Sequence, residues 1–124
     1  MPKRILIVED DPGVLRFFSF SLESEGYEVI NAMNGLEGLK KAQAELPDLL
    51  VLDVMLPGLD GFEVCHRLRG DAATSQIPVL MVSAKGQEVD REMALKVGAN
   101  RFLTKPVGFE DLIGAVKELT EQAV

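Results

Sequence analysis

Glu9, Asp10 and Asp11 follow directly on the apolar run Ile5 to Val8, and another carboxylate, Asp53, closes the run Leu49 to Leu52. Ser83 ends a third apolar run, and Lys105 follows a fourth segment, Arg101 to Thr104. If the first and second of these segments lie side by side, Glu9, Asp10 and Asp53 converge, and each pair of carboxylates repels by several kcal/mol at surface-like dielectric. A cation must then sit among them. A few hard oxygen ligands with water completing an octahedron favour Mg²⁺, or equally Mn²⁺, whereas calcium usually takes more protein oxygens. Lys105 supplies a second positive charge. The competing role for an acid after a strand is to cap a helix. Asp11 is read as such a cap, and Asp10 is divided between the two roles. Asp53 precedes the turn Leu56-Pro57-Gly58-Leu59-Asp60-Gly61 instead of a helix and is read as functional.

The elements that must hold these groups are legible in the hydrophobic pattern. Five β-type runs span Arg4 to Glu9, Tyr27 to Ala32, Asp48 to Asp53, Val79 to Ser83 and Arg101 to Thr104. Continuous runs such as ILIV, LLVL and VLMV suit strands covered on both faces. Helical spacing fills the intervals. The first helix runs from Pro12 to Glu25 with a stripe of Val14, Leu15, Phe18 and Leu22, and Gly26 sits just past its end. The second, Gly35 to Glu45, carries Leu36, Leu39 and Ala42 and is stopped by Pro47. A third starts near Gly61, turns Phe62, Val64, Cys65 and Leu68 inward and fades within Gly70 to Gln76. The fourth spans about Glu88 to Val97 before Gly98, and the fifth Phe109 to Glu121. Strand and helix alternating in this way predict βαβ crossovers and a doubly wound α/β domain, a parallel sheet with helices on both faces. Ligands of such sheets gather beyond the carboxyl ends of the strands, where the acids, Ser83 and Lys105 all fall.

The 124 residues suit one domain, 1–124, long enough to bury a core without metal or disulfides. A net charge of −7 with dispersed basic residues argues against a phosphate-backbone footprint, so no direct nucleic-acid binding is expected. The single cysteine, Cys65, cannot form an internal bridge and has no zinc-ligand spacing around it, which points to a reducing compartment, the cytoplasm. The run Ile5 to Val8 is too short for a secretory signal, and no apolar stretch approaches the roughly 20 residues that cross a bilayer.

The motifs VEDD at 8–11, LDVMLPGLDGFEV at 52–64, MVSAK at 81–85 and FLTKP at 102–106, in this order at the first, third, fourth and fifth strands, resemble the receiver domains of two-component response regulators. The match covers essentially the whole chain. Asp53 to Ser83 is 30 residues and Ser83 to Lys105 is 22, spacings typical of that family. The resemblance implies a flavodoxin-like fold with sheet order 2-1-3-4-5. It implies that Asp53 accepts a phosphoryl group from a sensor histidine kinase or a histidine phosphotransfer protein. Asp10 would bind Mg²⁺ directly and Glu9 through water, with Asp53 and the main-chain carbonyl of Met55 completing the protein's share. Lys105 would pair with Asp53 and then with a phosphoryl oxygen, to which the Ser83 hydroxyl would also donate. A cis peptide at Lys105-Pro106 is expected. Phe102 stands at the family's aromatic switch position; turning inward after Ser83 moves, it would remodel the surface of helix four, strand five and helix five toward an output protein or domain.

So read, the chain is a switch that catalyses only its own phosphorylation and a dephosphorylation kept slow by Met55 and Lys85, and it acts alone or within a larger protein. Phe102 lacks the hydroxyl of the tyrosine often found there, and Asn100-Arg101 replaces a frequent acidic pair, which leaves a phosphorylation-dependent homodimer open. Phe17 and Phe20 are read as packing loosely against helix five, and His66 as a surface residue. Rival readings have specific defects. An aspartate-nucleophile phosphatase of the haloacid-dehalogenase class needs a second Asp where Met55 stands, so its general acid is missing. An FMN module would find its phosphate repelled by Glu9-Asp10-Asp11. A dinucleotide fold lacks G-x-G-x-x-G. A receiver-like module that binds partners without phosphorylation is the remaining alternative.

Overall fold

The computed structural model describes residues 2–121, so Met1 and residues 122–124 of the expected 1–124 domain lie outside the described residues. Five strands alternate with five helices: β1 (Arg4–Val8), α1 (Pro12–Ser24), β2 (Glu28–Ala32), α2 (Gly35–Glu45), β3 (Leu49–Asp53), α3 (Gly61–Arg69), β4 (Val79–Ser83), α4 (Glu88–Lys96), β5 (Arg101–Thr104) and α5 (Phe109–Glu121). The strands form one parallel sheet in the order β2-β1-β3-β4-β5, the flavodoxin-like order expected. The first expected strand was one residue too long, since β1 stops at Val8 and Glu9 belongs to the loop.

The central strands are apolar throughout because each face of the sheet is covered by different helices. Successive side chains of a strand point to opposite faces, so neighbours in sequence enter separate cores. Leu6, Val8, Leu50, Leu52, Val79 and Met81 pack against Leu39 and Ala42 of α2, Val64 and Leu68 of α3 and Ala94 of α4. On the other face Ile5, Ile7, Leu49, Val51, Leu80 and Val82 pack with Phe18 and Leu22 of α1 and Leu112, Val116 and Leu119 of α5. Each of the Leu, Ile, Val, Met and Phe side chains among them contributes about 1.5–3 kcal/mol by leaving water. Among the described residues no helix is long and apolar enough to cross a membrane.

The starts of α1, α2 and α3 are fixed by acidic and amide caps. Asp11 Oδ1 accepts hydrogen bonds from the N–H groups of Gly13 at 2.9 Å and Val14 at 3.3 Å, as expected for a cap. Asn34 and Asp60 do the same for α2 and α3. At its other end α2 stops in Leu46, whose φ of 46° is left-handed, immediately before Pro47.

Two apolar expectations fail. Leu36, placed on the inner stripe of α2, is 51% exposed, and the buried side of that helix is formed by Gly35, Gly38, Leu39 and Ala42. The reason is proximity: a Cβ on Gly35 would lie 1.8 Å from the Leu59 carbonyl oxygen, and one on Gly38 would lie 2.7 Å from Val8 Cγ2. The backbone of α2 itself touches its neighbours, which leaves Leu36 to the outside. Phe20 does not pack against helix five either; it is 73% exposed and lines a groove with Leu15, Asn31 and Met33 between α1 and β2.

Candidate functional site

The site is built where β1, β3, β4 and β5 end. Val8 of β1 stands in register with Leu52 of β3, so the next residues along each strand, Glu9 and Asp53, emerge side by side. Asp10 follows on the same loop, and carboxylate oxygens of Glu9, Asp10 and Asp53 lie within 4.8 Å of one another. Glu9 and Asp53 are 1% and 3% exposed, whereas Asp10 faces solvent. Lys105, just beyond β5, reaches across β4 to the same spot: its Nζ donates to Glu9 Oε1 at 2.7 Å and to Asp53 Oδ2 at 3.1 Å. The Lys105-Pro106 peptide is cis, as the sequence resemblance implied.

Backbone groups hold the acids in place. Asp53 Oδ1 accepts from the Met55 N–H at 3.2 Å, and Glu9 Oε2 accepts from the Asp11 N–H at 3.0 Å. Behind Asp53 the loop turns back tightly, and Gly61 N–H donates to the Val54 carbonyl at 2.9 Å. A Cβ on Gly61 would fall 2.3 Å from the Asp53 carbonyl oxygen, so only glycine allows the start of α3 to close on the acid. Ser83 is fully buried at the end of β4; its Oγ accepts from the Lys85 N–H at 3.0 Å, and its carbonyl accepts from the Lys105 N–H at 2.8 Å. Serine and lysine are thereby tied to one another through the main chain.

The electrostatics favour a bound cation. Two like charges 4 Å apart repel by about 4 kcal/mol at an effective dielectric near 20. Three carboxylates against one ammonium leave two negative charges in excess when all are ionised. Burial holds the Glu9 carboxyl above the ordinary carboxylate range, against the hydrogen bonds from Lys105 and the Asp11 N–H, and the nearby Asp53 charge adds to the rise. Burial alone would lower Lys105, but its hydrogen bonds to Glu9 and Asp53 outweigh that and hold its pKa above the usual value, so the ammonium persists. Clustered oxygen donors, no nitrogen or sulfur ligand and a surplus of negative charge make the pocket compatible with a hard divalent metal ion.

Other expected residues stand as follows. The Met55 side chain is exposed, so what it offers the site comes from its backbone. Phe102 lies two residues before the end of β5, half-buried, and packs at the margin of the α2–α4 core. His66 and Lys85 are exposed. Asn100 and Arg101 act separately: Asn100 Oδ1 accepts from the Val79 N–H at 2.8 Å and from Arg69 Nη2 at 3.1 Å, while Arg101 pairs with Glu118 of α5. Two relationships had no signal in the sequence. One is the pairing of Lys105 with Glu9 as well as Asp53; the other is Arg91 of α4, whose guanidinium lies 5.0 Å from the centroid of the Phe102 ring.

Comparison with known proteins agrees with this geometry. The family model for the response regulator receiver domain matches residues 5–117. The alkaline phosphatase synthesis transcriptional regulatory protein PhoP of Bacillus subtilis is 43% identical over 99% of this chain, which spans 50% of that protein. Protein PilH of Pseudomonas aeruginosa is 42% identical, with 91% of this chain and 93% of PilH covered. The chain therefore spans about half the length of PhoP but nearly all of PilH. Among solved structures, a CheY-like response regulator receiver domain protein from Methanospirillum hungatei superposes with a TM-score of 0.91 at 35% identity, covering 98% of this chain and 97% of its own.

Proposed function

This chain belongs to the response regulator receiver family, and we propose that it works there as a phosphoacceptor switch with Asp53 as the acceptor. Receiver domains of this family are signalling switches in two-component systems and not classical enzymes. The observation that carries the reading is the position of Asp53: a nearly buried carboxylate at a strand end, beside two more acids and hydrogen-bonded to Lys105. An isolated acid there would be costly, and this one is held by groups suited to a doubly charged phosphoryl oxygen set.

In the proposed reaction an Asp53 carboxylate oxygen attacks the phosphorus of a phosphohistidine on a sensor kinase or phosphotransfer protein. The O–P bond forms as the donor's N–P bond breaks, and the imidazole leaves with the electron pair. Little covalent work falls to the protein in such a transfer; placement and charge stabilisation do most of it. Mg²⁺, or Mn²⁺, held by Asp10, Asp53 and the Met55 carbonyl with Glu9 through water, would supply the charge neutralisation that lets an anion approach an anion. Lys105, already protonated and paired with Asp53 Oδ2, transfers its hydrogen bond to a phosphoryl oxygen. The Ser83 hydroxyl donates to another, and Phe102 turns inward as Ser83 shifts. The surface of α4, β5 and α5 changes with it and is read by an output protein or domain. The unit that does this is the 1–124 domain as a whole.

Intact-mass measurement after incubation with acetyl phosphate and Mg²⁺ tests the proposal. Wild type is expected to gain one phosphoryl group and Asp53→Asn none. Equal gain by both, or steady release of phosphate from small phosphoesters, would overturn it, the latter in favour of a phosphatase.

A further inference from the structure

Phe102 and Thr104 are two residues apart on β5, so their side chains rise from the same face of the sheet. Their partners on β4 are Met81 and Ser83, which places both beside the strand that ends at the phosphoryl pocket. One residue spans the pair. Arg91 of α4 lays its guanidinium 5.0 Å from the Phe102 ring centroid, while its Nη2 donates to Thr104 Oγ1 at 3.1 Å. A planar guanidinium can present its face to a ring and an edge to a hydroxyl at once, which an ammonium cannot. Gly86, in the segment before α4, also approaches Thr104 closely: a Cβ on it would lie 2.4 Å from Thr104 Oγ1 and 2.8 Å from its Cγ2.

The rest of α4 is weakly held. It buries only Ala94, its first turn has no side-chain cap, and Val89, Met93 and Leu95 face solvent. The two contacts of Arg91 are therefore a large part of what fixes the first half of α4 to β5. We propose that Arg91 is a latch: by gripping Phe102 and Thr104 together it stabilises the present half-buried position of the ring and the present setting of α4, and so opposes the change that phosphorylation drives. The proposal rests on the phosphoacceptor-switch reading, since it is the inward turn of Phe102 that breaks the grip. A contact made in one state and lost in the other shifts the balance by its own worth. With Arg91 itself exposed, its cation over the ring is worth a factor of about two to five in that balance.

The test is the initial rate of phosphorylation by acetyl phosphate with Mg²⁺, followed by intact mass, for wild type, Arg91→Ala, Phe102→Leu and the double variant. Arg91→Ala should phosphorylate about two to five times faster than wild type, because more of it already has the ring free to turn. In the Phe102→Leu background, which has no aromatic face to hold, the same substitution should lose most of its effect. A loss of general packing would not distinguish the two backgrounds. If wild type takes up no phosphoryl group, the switch reading fails and the latch with it. If wild type is phosphorylated but Arg91→Ala is no faster, or is equally accelerated with Leu at 102, only the latch is overturned.

Discussion

Lys105 and Glu9, 96 residues apart in sequence, form a 2.7 Å ion pair in which the glutamate is 1% exposed and the lysine 19%. The lysine also serves Asp53, so one ammonium is the positive charge shared by two buried acids. Replacing Lys105 by Met should therefore destabilise the metal-free protein by about 3 kcal/mol, the scale for stranding a buried charge. Urea denaturation in EDTA measures this, and a loss under about 1 kcal/mol would show the acids to be well solvated.

Divalent ions should stabilise the native state, because the converging oxygens of Glu9, Asp10 and Asp53 exist only when β1 and β3 are paired. At ten times its dissociation constant Mg²⁺ should add about 1.4 kcal/mol, seen as a higher melting temperature that EDTA reverses. Asp10→Asn should weaken the ion's binding by at least about tenfold. Calorimetry showing the same affinity for both proteins would remove Asp10 from the ligand set.

Two glycines should respond in opposite directions to the same substitution. Gly61→Ala brings its new methyl against the Asp53 main chain at 2.3 Å, which cannot move aside, at a cost of about 3 kcal/mol or more. It should also slow phosphorylation, since the carbonyl it pushes belongs to the acceptor residue. Gly114→Ala, inside α5 with open space around it, should stabilise by about 0.5–1 kcal/mol. Thermal melts of the pair check both signs.

Cys65 is fully buried on α3, and its Sγ donates to the Val97 carbonyl at 3.3 Å. Burial pushes its thiol above the ordinary value, with the Arg69 charge opposing weakly. The neutral thiol is thus the native form. Its contribution to stability is complete below the unfolded thiol's pKa and fades as pH rises through the higher folded value. Native protein at pH 8 should be nearly inert to a thiol-specific disulfide reagent and react fully in denaturant; rapid native reaction would mean that α3 opens readily.

Most of the architecture was legible because it is written in burial. Runs such as Ile5 to Val8 and Leu49 to Leu52 are apolar at every position since both faces are covered, and the chemistry at their ends stands out against them. Leu36 was misplaced because helical spacing counts a leucine and treats a glycine as silent, although Gly35 and Gly38 are what lie against Leu59 and Val8. The grip of Arg91 on Phe102 and the five hydrogen bonds of Arg69 to Ser75, Ile77, Gly98 and Asn100 were beyond reading. Such contacts carry a long side chain across to an aromatic ring or to main-chain carbonyls of loops, and follow no period.

The division of the sheet into two covered faces also orders events during synthesis. α2, α3 and α4 close their face with segments that emerge consecutively from the ribosome, whereas the opposite face needs α1 from the start of the fold and α5 from its end. A nascent chain halted before Phe109 leaves Ile5, Ile7, Leu49 and Val51 without the part of their cover that α5 supplies, so this face is complete only once that helix docks.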